Sequence, residues 1–163
     1  MKKFFYLLIS SVLFVSCTNY IYVVRHAEKA VSPPSDPPLT AAGQQRAVDL
    51  ANLLKGKNIA SIYSTNTTRT TKTATPLSDS INKAITLYSP DTTALFVSKL
   101  KNLKSNVLVV GHSNTVLELL DSFHLSHSLQ HIPDNGFNNL FTIKTTRCLS
   151  TKRTLTEAVY GAP

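Results

Sequence analysis

Cysteine is scarce in this chain of 163 residues, which contains only Cys17 and Cys148. If Cys17 is chemically modified, Cys148 has no partner within the chain, and a structural disulfide is then impossible. A metal site built on cysteine is equally unsupported, and the acidic residues do not show the spacing of metal ligands. The sequence therefore predicts no metal and no cofactor.

Acidic residues are also few, with nine Asp and Glu against 17 Lys and Arg, so the formal net charge is +8. A basic surface can attract nucleic acid, anionic membranes or phosphorylated substrates. The basic residues are dispersed, without interleaved aromatic residues and without a nucleic-acid-binding motif. We therefore predict a solvated basic surface and no nucleic-acid partner. Nothing in the sequence indicates an oligomeric state.

A hydrophobic run long enough to span a membrane is missing, because the apolar residues 4–15 are too few. Two lysines precede this run and Ser16-Cys17 follows it, which predicts a secretory signal peptide over residues 1–16. The Ser-Cys junction resembles a bacterial lipobox, although Phe14 replaces the usual leucine. That resemblance implies a diacylated Cys17 and an exported lipoprotein on the periplasmic face of the cell envelope. The alternative is an ordinary cleaved signal with an incidental cysteine.

Strand-like and helix-like segments alternate after a short tether expected at residues 17–19. Together, residues 20–163 are expected to form one domain. Strands are predicted at 20–24, 59–63, 84–88 and 107–110, and again at 138–145 and 153–160. Helices are predicted at 40–55, capped by Thr40, at 64–80, at 92–103 and directly after His112. This alternation predicts an α/β fold, a three-layer α/β/α arrangement with a mainly parallel central sheet.

Two predicted strands end in the same way, one in Arg25-His26 and the other in Gly111-His112. Arg69 follows a third strand end. Because ligands bind outside the carboxyl ends of strands in such sheets, we expect two imidazoles and two guanidiniums to converge there. The glycine before His112 is expected to let the backbone approach a ligand. This set of residues suits a pocket for a small dianion.

The residue types in this pocket fit phosphoryl transfer. A neutral imidazole nitrogen can attack phosphorus and form a phosphohistidine. A guanidinium matches the geometry of a phosphate and does not lose its charge, so it can neutralise the oxygens that repel a nucleophile. Positioning and charge stabilisation supply most of the catalysis in such reactions, and this scheme requires no metal.

Four segments carry a family resemblance. Arg25-His26-Ala27-Glu28 resembles the RHG/RHA signature of the histidine phosphatase (phosphoglycerate mutase-like) superfamily. Residues 39–47, 63–74 and 109–114 resemble its further motifs, in the expected order. The resemblance covers nearly the whole chain after the leader and implies a phosphoglycerate mutase-like fold.

The resemblance also implies roles for individual residues. His26 would be the phosphorylated nucleophile. Arg25, Arg69 and His112 would bind the phosphoryl oxygens, with His112 catalytic and at least partly protonated beside the transferring group. Asp91 is the best placed candidate for the general acid, and the alternative for Asp91 is a helix cap. Glu28 is expected at the rim of the site.

Two branches of the superfamily fit less well. The chain is too compact to show the insertion of the mutase branch, and Ser113 stands where branches with a His-Asp pair have aspartate. The expected function is therefore a membrane-tethered phosphomonoesterase acting on a small phosphorylated substrate. The alternatives are a phosphohistidine-protein phosphatase and a non-catalytic, phosphate-binding envelope lipoprotein.

The two loops expected to shape substrate choice, residues 30–38 and 123–136, carry no readable specificity code. Three histidines in the second loop are interpreted as solvated rather than metal-binding. Asn114 is expected to cap the helix that follows His112.

Overall fold

The computed structural model describes residues 17–162, so the signal peptide predicted for residues 1–16 lies outside the described residues. Within the described range, no helix combines the length and the apolar character needed to cross a bilayer. Six strands form one sheet: β1 (Cys17–Arg25), β2 (Ile59–Ser64), β3 (Ile85–Leu87), β4 (Asn106–Gly111), β5 (Asn139–Arg147) and β6 (Thr151–Val159). Four α-helices accompany it: α1 (Ala41–Leu54), α2 (Thr68–Ile81), α3 (Thr93–Asn102) and α4 (Ser113–Ser122). A short 3-10 turn, Pro90–Thr92, precedes α3.

The strands lie in the order β3-β2-β4-β1-β5-β6. The first four are mutually parallel, whereas β5 pairs antiparallel with β1 and β6 antiparallel with β5. Parallel neighbours need a long crossover, which the helices supply, while the short connection between β5 and β6 permits only a hairpin. The predicted mainly parallel α/β sheet is confirmed.

Side chains of β1 alternate between two hydrophobic cores. Ile21 and Val23 belong to the core beneath α3 and α4, and Tyr22 and Val24 belong to the core beneath α1 and α2. Successive residues of a strand point to opposite faces, so a strand buried on both faces is apolar throughout. The helices therefore cover both faces of the sheet, as the three-layer prediction requires.

Two predicted boundaries are wrong. The sequence predicts that β1 begins at about Tyr20, but Thr18 and Asn19 already pair with β5. Residues 17–19 are therefore strand rather than tether, and Asn19 is buried although its polar side chain gives no strand signal. The second helix begins at Thr68 rather than at residue 64, because the intervening residues turn across the sheet edge and Thr65 donates its N–H to the carbonyl of Val110.

The N-terminus of α1 lies against the chain that follows β1. Thr40 caps the helix, as predicted, by accepting a hydrogen bond from the N–H of Gly43 at 3.1 Å. A Cβ atom added to Gly43 would lie 2.2 Å from the carbonyl oxygen of Glu28. Since that oxygen belongs to the backbone two residues after His26, the missing side chain lets α1 pack directly against the segment that carries the site.

Gly43→Ala is expected to lower the free energy of unfolding by about 2–3 kcal/mol, as overpacking does. Alanine is favoured over glycine inside a helix by about 1 kcal/mol, but the overlap with a backbone atom outweighs that gain. Gly56→Ala is the matched control, because a Cβ at Gly56 meets nothing within 4 Å. Urea denaturation measures both variants. Equal stability of the two would show that α1 can move away from Glu28 without cost.

Candidate active site

The pairing of β1 with β4 brings the two histidines together. Arg25 is in register with Gly111, and the N–H of His26 donates to the carbonyl of Gly111 at 2.9 Å. The rings of His26 and His112 lie 5.5 Å apart, centroid to centroid, at 67°. The structure therefore places the two strand-end imidazoles side by side, as the sequence predicts.

Packing requires a glycine at position 111, and the ligand approach expected from the sequence stays a prediction. A Cβ atom there would lie 2.7 Å from Oγ1 of Thr115 and 2.9 Å from the hydroxyl of Tyr88. The Thr115 hydroxyl accepts a hydrogen bond from the N–H of His112 at 2.8 Å. The prediction that Asn114 caps α4 is accordingly wrong, since Thr115 supplies the hydroxyl and Asn114 is exposed.

His26 is held by one ring nitrogen only. Its Nδ1 lies 2.8 Å from the carbonyl oxygen of Ala27. A carbonyl can only accept, so Nδ1 carries the proton and Nε2 carries the lone pair. Ala27 is fixed in turn by its N–H, which donates to the Thr73 hydroxyl at 2.9 Å. The ring is 3% exposed, and Nε2 makes no hydrogen bond within residues 17–162.

Arg25 connects the site to the loop before β5. Its Nη1 donates to the carbonyl oxygens of Pro133, Asp134 and Gly136, the first at 2.7 Å. Its guanidinium lies 4.5 Å above the ring of Phe137, which also contacts His26 with a centroid separation of 5.9 Å. The sequence gives no signal for Phe137, because an isolated aromatic residue in a loop has no periodicity and belongs to no motif.

Arg69, in the first turn of α2, points its guanidinium at His112. Its Nη2 lies 3.5 Å from Nδ1 of His112, and its Nη1 lies 3.8 Å from a carboxylate oxygen of Asp36. Asp36 also accepts from the N–H of Thr68 at 2.9 Å, so the loop at residues 30–38 caps α2 in place of Thr67, whose side chain makes no cap. Asp36 is a second residue that sequence reasoning missed.

Each arginine has a buried Nε–H donor without an acceptor among the described residues. A buried charged donor without an acceptor is unfavourable, so such groups mark places where a ligand supplies the acceptor. Four predicted residues, Arg25, His26, Arg69 and His112, thus form one cluster with two guanidinium charges, which we call the pocket.

A hydroxyl network fixes the other ring. Nε2 of His112 lies 3.0 Å from Oγ1 of Thr65, which donates to Oγ1 of Thr70. Thr70 uses its own proton on the carbonyl of Thr65 at 2.8 Å. The Thr65 hydroxyl must therefore accept from His112, so Nε2 carries the proton and Nδ1 accepts from Arg69. Thr65 lies in a sequence motif, but nothing in the motif specifies this role.

Both imidazoles are neutral in the pocket. Burial lowers the pKa of His26 to about 4, although the hydrogen bond to the carbonyl of Ala27 acts to raise it. The charges of Arg25 and Arg69 lower it further. Burial and the same two arginines lower the pKa of His112 to about 4. His112 is therefore neutral without a ligand, and its expected protonation beside a transferring phosphoryl group stays a prediction. A bound dianion would act in the opposite direction and favour its charged form.

These depressed pKa values make the protein sensitive to acid. The unfolded histidines titrate near 6.5 and the folded ones near 4, so between these pH values the unfolded state binds protons that the native state does not. The contribution of these two histidines to the free energy of unfolding is therefore complete above pH 6.5 and decreases as the pH is lowered towards 4. Urea denaturation across this range should show a smaller slope for His112→Asn than for wild type. His131→Asn, on an exposed loop residue, should keep the wild-type slope; equal slopes for both variants would contradict this prediction.

A cavity of about 450 Å³ opens beside His112, and we call it the Tyr88 cavity. It is lined by Thr65, Asn66, Thr67, Leu87, Tyr88, Ser89, Pro90 and His112. Asp91 is adjacent but does not line it, and its exposed carboxylate accepts from the Ser89 hydroxyl at 3.3 Å. Ser89, not Asp91, caps the 3-10 turn. The role of Asp91 as general acid stays a prediction.

Glu28 does not extend a free carboxylate into the rim of the site. Its carboxylate accepts two hydrogen bonds from Nε of Arg46 and a third from Nη2 at 2.7 Å. Burial disfavours the charged form of Glu28, but the bonds from Arg46 outweigh it and lower the pKa of the carboxyl. Between residues 17 and 162, no group of three or more histidine, cysteine or acidic side chains could hold a metal ion.

Known proteins resemble this chain in sequence and in fold. The family model "Histidine phosphatase superfamily (branch 1)" matches residues 21–89, which include Arg25, His26 and Arg69. This match spans less than half of the chain, and over that part the chain resembles the histidine phosphatase superfamily. The chain is also 32% identical over 104 residues to the probable phosphoglycerate mutase GpmB of Escherichia coli, a match that covers 60% of this chain and 44% of that protein. The matched part is thus less than half the length of this curated relative.

Solved structures of other proteins have a fold similar to that of this chain. "Mycobacterial hydrolase 2" superposes with a TM-score of 0.68 at 11% identity, covering 90% of this chain and 93% of that chain. The protein histidine phosphatase SixA, solved in complex with tungstate, superposes with a TM-score of 0.63 at 18% identity, covering 81% of this chain and 95% of that chain. At these identities the likeness concerns the fold alone, and it confirms the predicted phosphoglycerate mutase-like fold.

Proposed function

We propose that this protein hydrolyses phosphate monoesters through a phosphohistidine on His26. One observation supports this most strongly: Nε2 of His26 carries a free lone pair next to two guanidiniums whose buried Nε–H groups have no acceptor within the described residues. A phosphoryl group supplies the electrophile for that lone pair and the oxygens for those donors.

The reaction has two balanced steps. Nε2 of His26 attacks phosphorus, the P–O bond to the alcohol breaks, and the leaving oxygen takes a proton from water. Water then attacks the phosphohistidine, the P–N bond breaks, and inorganic phosphate leaves with the neutral imidazole restored. Arg25 and Arg69 hold the phosphoryl oxygens in both steps, and His112 joins them once the bound dianion favours protonation of its Nδ1, so charge stabilisation and positioning supply the catalysis.

The comparisons support a phosphatase more than a mutase. SixA is a protein histidine phosphatase by name, and its structure contains tungstate, a tetrahedral oxyanion like phosphate. GpmB is named as a mutase, but the match covers only 44% of its length. A mutase must retain its substrate for a second transfer, and the described residues form no element beyond the sheet and its helices that would enclose one.

A phosphohistidine-protein phosphatase is the second candidate, and one observation favours it. No carboxylate lines the Tyr88 cavity in the described part of the chain, so a strong proton donor next to His112 is missing. An imidazole can leave phosphorus as a neutral molecule when its other nitrogen is protonated, so this reaction needs no such donor. Phosphate esters of acidic alcohols share that advantage.

Hydrolysis of para-nitrophenyl phosphate by the purified protein tests the proposed function. We expect turnover without added metal, together with an acid-labile, base-stable phosphoenzyme after a rapid quench. A phosphohistidine peptide assayed in parallel decides between the two candidates through its kcat/KM. Absence of both turnover and phosphoenzyme would favour the non-catalytic phosphate-binding alternative.

We further propose that the protein is exported and anchored in the cell envelope through acylated Cys17. The short apolar leader and the Ser16-Cys17 junction support this, and a pair of acyl chains suffices for stable attachment. Metabolic labelling with palmitate tests it, with Cys17→Ala as the unlabelled control. A mature wild-type protein that takes up no label and stays in the aqueous fraction would contradict the anchor.

A further inference from the structure

The wall of the Tyr88 cavity has no formal charge. Among the described residues, its lining consists of hydroxyls, one amide, two apolar side chains, Tyr88 and His112. Burial raises the pKa of Tyr88 to about 12 and lowers the pKa of His112 to about 4, so both are neutral before a ligand binds. When a bound dianion favours the charged form of His112, that charge pairs with the phosphoryl oxygens and leaves none for the cavity. A ligand in this cavity therefore meets hydrogen-bonding and apolar groups but no cation.

The positive charges of the two neighbouring arginines are neutralised by other groups and do not act on a ligand in the cavity. Arg25 and Arg69 together match the two negative charges of a phosphoryl dianion. Arg69 also lies 3.8 Å from the carboxylate of Asp36, and the charge of Asp134 acts on Arg25. The exposed carboxylate of Asp91, next to the lining residue Pro90, adds negative charge at the rim. A second anion on the substrate would thus be unpaired and repelled.

The cavity offers two kinds of contact to an uncharged group. Leu87, which is 52% exposed, and Pro90 form an apolar side. On the other side, the hydroxyls of Thr65 and Thr67 are occupied by Thr70, whereas the exposed amide of Asn66 makes no hydrogen bond to any described residue. Asn66 is therefore the polar group available to a substrate, and an amide both donates and accepts.

We propose that the Tyr88 cavity holds the alcohol part of the phosphate monoester and selects uncharged alcohols over those that bear a second anionic group. This rests on the proposed monoester hydrolysis and adds a substrate class to it. Because the cavity adjoins His112 at the edge of the phosphate pocket, it is where the leaving group would lie. Sugar, polyol and aryl phosphates belong to the favoured class; phosphorylated carboxylic acids and bisphosphates belong to the disfavoured class.

Matched substrate pairs test the selection. The probes are phenyl phosphate against 4-carboxyphenyl phosphate, and glycerol 1-phosphate against 3-phosphoglycerate. We expect kcat/KM to favour the uncharged member of each pair by about tenfold or more. The positive net charge of the chain attracts the anionic member of each pair and so opposes this preference. Both this attraction and the repulsion in the cavity are stronger at low salt. The preference for the uncharged member should therefore grow at low salt only if the repulsion is the larger effect.

An arginine in the cavity should weaken the preference. Asn66→Arg supplies the missing cation and is expected to raise kcat/KM for the carboxylated probes relative to the uncharged ones by about tenfold. Asn52→Arg, on the exposed surface of α1, adds the same charge far from the cavity and is the matched control. It should leave the wild-type ratio unchanged.

The outcomes separate the two proposals. Equal kcat/KM within each pair, while para-nitrophenyl phosphate is still turned over, would overturn the cavity assignment and leave the hydrolase standing. An identical shift in Asn66→Arg and Asn52→Arg would also overturn it, because the effect would then be general attraction. If no monoester is turned over at all, the hydrolase fails and the substrate class fails with it.

Discussion

Replacing His26 with asparagine is expected to lower kcat for para-nitrophenyl phosphate on the order of 10⁴-fold or more, because the nucleophile is lost. The asparagine amide can take the place of Nδ1–H and keep the hydrogen bond to the carbonyl of Ala27, which His26 makes at 2.8 Å. It has no nitrogen lone pair to place where Nε2 lies. The variant therefore removes the chemistry and conserves the local contact.

Two controls make this result specific. His131→Asn changes an exposed histidine of the loop before β5 and should keep full turnover. Inorganic phosphate should still protect His26→Asn against thermal unfolding, because Arg25, Arg69 and His112 remain. A His26→Asn protein that keeps even a tenth of wild-type turnover would exclude His26 as the nucleophile.

Arg46→Met is expected to lower the free energy of unfolding by about 3–5 kcal/mol, the usual cost of leaving a buried charge unpaired. Arg46 is 7% exposed and Glu28 21% exposed, and their closest atoms lie 2.7 Å apart. Arg46 also donates to the carbonyl of Tyr160 at 2.9 Å. One guanidinium thus ties α1 to the segment after His26 and to the chain end after β6.

A double-mutant cycle in urea isolates the pair. Glu28→Gln combined with Arg46→Met should cost less than the sum of the two single changes, since no unpaired charge remains. Gln45→Ala, on an exposed residue next to Arg46, should change stability by less than about 0.5 kcal/mol. Additive costs in the cycle would show that the ion pair contributes no coupling.

The pair also has a defined pH dependence. Burial opposes the ionisation of Glu28, yet the bonds from Arg46 lower its pKa below the ordinary value of 4.5. The contribution of the pair is therefore complete above pH 4.5 and is lost as the pH falls through the lowered pKa.

The sheet and the two histidines could be predicted because their signals are local. Val23-Val24 and Val109-Val110 are apolar on both faces, which is typical of a central parallel strand, and His26 and His112 closely follow them. The Thr40 cap was equally predictable, since its partner is the N–H of Gly43 three residues later. Each of these features depends on residues that are near one another in the sequence.

The contacts around the pocket could not be predicted because they join distant segments. Asp36 caps a helix that begins 32 residues later, and Arg25 binds a carbonyl 108 residues away. The same reason applies to the electrostatics of His112. Its pKa depends on burial and on two guanidiniums that approach only in the folded chain. Motifs identified which residues meet, but not which contacts position them.

Strand β1 also fixes the orientation of the pocket relative to the proposed anchor. It begins at Cys17 and ends at Arg25, so both lie on one continuous strand. At about 3.3 Å per residue, roughly 25 Å separates the two ends. An anchored molecule would stand on the bilayer with its pocket at the far end of the sheet, facing the aqueous space. Substrates would arrive from solution, and phosphate groups of membrane lipids would be out of reach.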